Sequence, residues 1–253
     1  MKTIIITGGT GLIGRTLAVH LLKKGNKVII SSRIPNKEKF IKKNNIEKYK
    51  ENLNVIELDY FKNNSIQNFI KNLKNENIFP EVIIHNARSI DSLNIEYNGQ
   101  SSSENFINEY QMGIVGPYTL NNLLIDSNSG TKLDNIIFIS SIYGVVAPTP
   151  SLYDNFEHQS PIQYGVTKAA QIHLTKELAV RYSSKGIRVN AISLGGIKGR
   201  VKESFIDKYS KLNPQNKMLS ATDVLKPIEF LIKNDSESIT GHNLIVDGGW
   251  TIW

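Results

Sequence analysis

The chain contains no cysteine. Disulfides, thiolate metal sites and a cysteine nucleophile are therefore excluded. It also has no apolar run approaching the ~20 residues of a membrane span, so no membrane partner is expected. No Pro/Ser-rich linker, low-complexity tract or internal repeat divides the 253 residues, and a single domain over 1–253 is expected. Four histidines, His20, His85, His173 and His242, lack the spacing of metal ligands, and no metal is expected. Acidic residues are in the minority: 23 Asp+Glu against 30 Lys+Arg leave a net charge of +7. The basic stretch from Lys37 to Lys50 is mixed with Glu38 and Glu47. It reads as a solvated helix face rather than a nucleic-acid surface. The charge still helps attract an anionic cofactor or a nucleotide-linked substrate. A strand pattern begins almost at Met1, which leaves no room for a signal peptide, and a cytoplasmic protein is expected.

Short β-branched runs alternate with longer amphipathic stretches. Candidate strands are Lys2–Thr7, Lys27–Ser32, Asn54–Leu58, Glu81–His85, Asn135–Ser140, Arg188–Ser193 and Asn243–Val246. Candidate helices are Leu12–Lys24, Asn36–Lys50, Ser65–Asn75, Ser103–Ile125, Ile162–Ser184 and Thr222–Ile232. Nearly all-apolar strands alternating with helices imply a parallel sheet covered on both faces. With right-handed crossovers this is a doubly wound α/β sheet, a three-layer α/β/α Rossmann architecture, whose ligands sit beyond the carboxyl ends of the strands.

Gly8, Gly11 and Gly14 follow the first strand and precede the first helix. Glycines there permit a tight turn and let backbone amides approach a pyrophosphate at a helix N-terminus. Thr10 and Ile13 lie in the same cofactor-binding turn. The second strand ends Ser31-Ser32-Arg33, without the acid that NAD sites place near the ribose hydroxyls. Ser32 and Arg33 instead suit a 2′-phosphate. NADP is thus expected, with NAD as the alternative. Asp59, after the third strand, can accept from the adenine amino group or cap the next segment.

Tyr164 and Lys168 stand four residues apart on a helical pattern, so their side chains share a face. A free tyrosine, with a pKa of about 10, is a poor base near neutrality. A neighbouring ammonium favours the phenolate. Ser141 follows the fifth strand and can hydrogen-bond a substrate oxygen. The set suits proton transfer to a carbonyl oxygen as a hydride reaches the carbon.

With these residues in place, the whole chain resembles the short-chain dehydrogenase/reductase (SDR) superfamily, compact subfamily. The resembling elements are Thr7–Gly14, Asn86-Ala87, Ser140-Ser141, Tyr164-Gly-Val-Thr-Lys168, Ile187–Ser193 and Val246-Asp247-Gly248-Gly249. The resemblance implies that Ser141, Tyr164 and Lys168 are catalytic. It implies that Asn86, Ala87, Tyr164, Lys168 and Ile197 contact the cofactor. It also implies a homo-oligomer, a tetramer or dimer, packed through the helices after strands four and five. The sequence departs from the pattern at several points. Arg88 stands where the family usually has Gly. Gly113 replaces an Asn that helps hold a water in the proton relay, with Gln111 as a possible substitute. Leu194-Gly195 replaces Pro-Gly, and Gly199 replaces Thr. These changes are expected to loosen the nicotinamide loop.

The stretch between Ser141 and Tyr164 is longer than the family's usual spacing. It carries Tyr143, Tyr153, Phe156, Asp154, Glu157 and His158. Aromatic faces with polar neighbours suit a sugar ring, so Tyr143, Tyr153 and His158 are candidate substrate residues. The stretch resembles SDRs of flagellin-modification and surface-glycan clusters, which implies a small sugar-like or sugar-nucleotide substrate in a bacterium. Two alternatives stay open: a sugar-nucleotide epimerase or dehydratase with recycled nicotinamide, prompted by the glycine spacing, and a non-catalytic nucleotide-binding protein, prompted by Gly113, Leu194 and Gly199.

Overall fold

A computed structural model describes residues 1–126, 133–199 and 201–253. Seven strands run parallel in the order β3-β2-β1-β4-β5-β6-β7. They are β1 (Thr3–Ile6), β2 (Lys27–Ser32), β3 (Leu53–Glu57), β4 (Val82–His85), β5 (Asn135–Ser141), β6 (Arg188–Leu194) and β7 (Asn243–Val246). The chain starts in the middle and winds outward twice, so the order reverses between β1 and β4. The loops after these two strands diverge there and leave a crevice for a ligand.

Alternation along the strands builds two cores. Ile4, Ile6, Val28, Ile30, Val82 and Ile84 face α1 (Leu12–Lys23) and α9 (Leu225–Ile232), where Leu17, Leu21, Ile228 and Leu231 are buried. Ile5, Ile29, Ile83, Ile136 and Phe138 face the other layer. That layer holds α3 (Ser65–Asn75), α5 (Gly116–Asp126) and α7 (Ile162–Tyr182), which contribute Phe69, Leu120 and Leu178. Each fully buried Ile or Leu is worth ~1.5–3 kcal/mol over an exposed one, so β1, apolar on both faces, anchors the sheet.

Three helical expectations change. The stretch Asn36–Lys50 is not one helix: α2 (Lys37–Asn44) ends where Asn45 turns left-handed at φ 52°, and a 3₁₀ segment, Glu47–Asn52, follows. Asn tolerates that conformation better than most residues. The stretch Ser103–Ile125 is split into α4 (Ser103–Tyr110), a π-helical turn at Gln111–Val115, and α5. Two helices went unforeseen in the sequence, the short α6 (Phe156–Gln159) and α8 (Glu203–Leu212). The latter buries Tyr209 and packs Phe205 and Ile206 against a third apolar cluster that includes Ile142, Leu152 and Trp250. Among the described residues no helix is long and apolar enough to cross a membrane.

Candidate active site

The crevice side is built backbone on backbone. Gly8 takes φ +63°, and a Cβ there would fall 2.7 Å from Ala87 Cα. A Cβ on Gly14 would lie 2.5 Å from the Gly8 carbonyl oxygen. Larger residues would push β1, α1 and the β4 loop apart. Thr7, just after β1, ties the two loops: its hydroxyl accepts the amides of Asn86 and Ala87, each at 3.0 Å. The Asn86 side chain donates back to the carbonyls of Thr7 (3.0 Å) and Gly8 (3.2 Å). Asn86 thus braces the glycine turn.

Helix α1 starts at Gly11 with no side-chain cap and no acidic residue in its first turn. Its first amides have no internal partner and carry the positive end of the helix dipole, which suits a pyrophosphate. The turn, with glycine at 8, 9 and 11, leaves backbone open to that group. At the end of β2 the Ser32 hydroxyl donates to Ile34 O at 3.1 Å. Arg33 is exposed and meets Asp91 at 3.6 Å. Asp59 Oδ1 accepts the Phe61 amide at 3.0 Å, which caps the turn after β3.

Ser141, Tyr164 and Lys168 converge across β5 and α7. Ser141 is the last residue of β5, and its hydroxyl accepts the Tyr143 amide at 3.2 Å. It also lies near enough to the Tyr164 phenol to pull that group's pKa down. Close approach of the two elements places the set: Ser140 Oγ donates to the Lys168 carbonyl at 3.0 Å. A Cβ on Gly144 would come 2.6 Å from the Lys168 carbonyl carbon.

Lys168 is buried, and its Nζ donates to Ile139 O at 2.8 Å and to Gln171 Oε1 at 2.9 Å. Burial lowers its pKa from 10.5 to about 8, opposed by the buried carboxylate of Glu109 and aided by Arg88. Desolvation raises the pKa of Tyr164, while Arg88 and the Ser141 hydrogen bond pull it down. The Arg88 guanidinium carbon lies 5.4 Å from the Tyr164 ring centroid, and Lys168 Nζ lies 5.6 Å from it. Desolvation is the larger effect, so the phenol is held above its ordinary range, and the neighbouring Arg88 reduces that penalty without cancelling it.

The departures from the family pattern are locally accommodated. Gly113 lies in the π-helical turn, where a Cβ would meet Thr167 Cγ2 at 2.4 Å. Gln111 does not reach the catalytic lysine: its side chain donates to Tyr60 O at 3.0 Å. The residue that does so is Gln171, whose Nε2 donates to Gly113 O at 2.9 Å.

The loop after β6 is tied down rather than loosened. Tyr209 of α8 accepts the Gly196 amide at 2.9 Å, and Ile197 bridges Leu219. Leu194 is buried, and Gly199, at φ +157°, sits against the Leu12 side chain.

The stretch between Ser141 and α7 is anchored as well. The Tyr143 and Tyr153 hydroxyls pair at 2.7 Å. Tyr153 packs edge-on against Phe156 and Phe205, each at 5.6 Å. Asp154 pairs with Lys208 of α8 at 2.8 Å. His158 lies exposed, with its ring nitrogens engaged by Asn155 Oδ1 and by Tyr97 O, both at 3.0 Å. The structure thus joins the insertion to α8.

Sequence reasoning passed over Gln171, three positions beyond Lys168 and so on its helix face, and the brace made by Thr7. A cleft of about 650 Å³, lined by Lys37, Ile41, Lys42, Glu47 and Lys50 among others, includes none of these residues.

Comparison with known proteins agrees with this geometry. The family described as enoyl-(acyl carrier protein) reductase matches residues 10–251. The post-translational flagellin modification protein A of Campylobacter coli is 28% identical over 98% of both chains. Two solved structures share the fold at high similarity. A short-chain dehydrogenase from Leptospira borgpetersenii, solved with bound NAD+, superposes with TM-score 0.85 at 30% identity, covering 99% of this chain and 92% of that one. ElxO with NADP bound gives TM-score 0.83 at 31% identity over 100% of both. A match spanning nearly the whole chain, on a parallel sheet in this strand order, makes the chain a member of the short-chain dehydrogenase/reductase family of NAD(P)-dependent oxidoreductases.

Proposed function

We propose that the protein interconverts an alcohol and a ketone on a sugar or sugar nucleotide, with NADP as cofactor, in surface-glycan or flagellin-glycan biosynthesis in the cytoplasm of a bacterium. The convergence of Ser141, Tyr164 and Lys168 carries this reading. Bound nicotinamide supplies or accepts the hydride. Gly8, Thr10, Gly11, Ile13 and Gly14 hold its phosphates, and Asn86, Ala87 and Ile197 frame the nicotinamide half. Ser32 and Arg33 receive the 2′-phosphate. Arg33 is exposed and only loosely paired with Asp91, so its guanidinium is available to a stronger anion. NAD remains the second choice, since similar structures hold either form.

In reduction, Ser141 hydrogen-bonds the substrate oxygen and Tyr164 gives it a proton. Lys168 stabilises the phenolate left behind. In oxidation the same phenolate takes the proton. Three features support the substrate class. The aromatic faces of Tyr143 and Tyr153 lie near Tyr164, and His158 stands on the same insertion. Arg88, exposed beside Tyr164, suits an anionic substrate such as a sugar nucleotide. The similarity to a flagellin modification protein points the same way.

Exposed apolar side chains on α4–α5 and α7, among them Ile107, Tyr118, Val166 and Val180, support a homodimer or homotetramer through these helices. Light scattering at micromolar concentration tests it, and a monomer refutes it.

The direct test follows NADPH and NADH absorbance with purified protein against keto- and amino-sugars, their nucleotide forms and a ketoacyl thioester. Turnover on a sugar, abolished in Tyr164→Phe, supports the proposal. Turnover on the thioester alone overturns the substrate class. The spacing of Gly8, Gly11 and Gly14 favours a second reading, an epimerase or dehydratase with no net cofactor turnover. Product mass with catalytic NADP distinguishes it.

A further inference from the structure

Lys168 is held by two acceptors of the protein, Ile139 O and Gln171 Oε1, and only the second is a side chain. Gln171 is buried on α7, at the third position after Lys168 and the seventh after Tyr164, so the three share a helix face. Its amide bridges two groups of opposite character. Lys168 Nζ can only donate, and Gly113 O can only accept. The amide oxygen must therefore face the lysine (2.9 Å) and the amide nitrogen the carbonyl (2.9 Å). A flip would break both bonds at once.

The bridge exists because two elements come unusually close. Gly113 has no Cβ, and Thr167 Cγ2 occupies the place where one would stand. The carbonyl that Gln171 grips belongs to the π-helical turn Gln111–Val115, between α4 and α5. Such turns are over-represented at functional sites.

We propose that Gln171 is a positioning residue for the proton-transfer pair: its amide, locked between Lys168 and the Gly113 carbonyl, holds the lysine ammonium in place beside Tyr164 and ties it to the π-helical turn. This rests on the role given to Lys168 above. Removing the amide leaves the ammonium with one fewer acceptor in a site without water's dielectric. The other groups acting on Lys168 are the buried Glu109 of α4 and Arg88 after β4, and both stay unchanged in the variants below.

The test is titration of Lys168 in the free, full-length protein, followed by NMR of ¹³Cε-labelled lysine and assigned with Lys168→Met. Gln171→Met keeps length and volume but accepts no hydrogen bond from an ammonium. The ammonium-to-amine ratio at a given pH should fall by roughly tenfold, the effect of one bond to a charged group. Gln171→Glu, isosteric and anionic, should move the ratio in the opposite direction. Shifts of opposite sign cannot come from a general disturbance of packing, and the second variant decides the matter if the first fails to fold. A wild-type titration in both variants, or a shift in the same direction in both, overturns the proposal. The readout needs neither substrate nor cofactor. Turnover insensitive to Lys168→Met would defeat the catalytic reading alone, whereas an unmoved Lys168 titration defeats this inference alone.

Discussion

Replacing Lys168 by Met should change how stability depends on pH, in a way set by the burial of one charge. In the folded chain the lysine pKa falls from 10.5 to about 8, chiefly through desolvation. That fall corresponds to ~3 kcal/mol between the two protonation states. Below pH 8 the amine is protonated in folded and unfolded chains alike, and the folded chain bears the whole cost of the buried charge. Above 10.5 neither carries it. Between these limits the unfolded chain binds more protons, so the wild type gains stability as pH rises. Met cannot titrate. Wild-type stability relative to Lys168→Met should therefore rise by ~3 kcal/mol between pH 8 and 10.5 and stay flat below 8. Tyrosines distant from Lys168 are common to both proteins and cancel, and Tyr164, which faces it, is replaced by Phe in both. The assay is urea denaturation of both proteins at closely spaced pH values and one protein concentration, since association shifts apparent stability. Stability curves that run parallel through this window would refute the buried-ammonium argument. A difference that shrinks there would reverse its sign.

Three further outcomes follow from particular contacts. Arg33→Asp should weaken NADPH tenfold or so more than NADH, because a charge-assisted pair to the 2′-phosphate is lost and repulsion gained; fluorescence titration checks it, and equal loss for both cofactors counts against Arg33. Gly113→Ala should cost about 1–3 kcal/mol through the 2.4 Å approach of its new methyl to Thr167 Cγ2, and adding Thr167→Ser, which lacks that methyl, should restore most of it in denaturant unfolding. Buried His85, stacked on Phe138 and lowered by desolvation from 6.5 to about 4, stays neutral in the fold while the unfolded chain takes up a proton. Stability should therefore fall on acidification through this window, and less steeply in His85→Leu.

The order of strands and helices, the glycine turn and the Tyr164–Lys168 pair were legible in the chain because each depends on local periodicity or spacing. Apolar strands such as Ile4-Ile5-Ile6 declare themselves buried on both faces whatever lies beyond them. A separation of four residues puts two side chains on one helix face in any protein. Chain distance alone could not reveal the contacts that decide the chemistry. The sequence offered Gln111 as the amide near the lysine, yet Gln111 turns to Tyr60 O and the unremarked Gln171 reaches Lys168. The choice is made by the π-helical turn, which no periodicity predicts, and by the absent Cβ of Gly113, which lets α7 approach. Likewise α8, whose Phe205 and Tyr209 clamp the insertion and the loop after β6, gains its apolar partners only from segments far away in the chain. Local spacing determined which groups are available for hydride and proton chemistry. Tertiary packing decided which of them meet, because burial and close approach are properties of several elements at once.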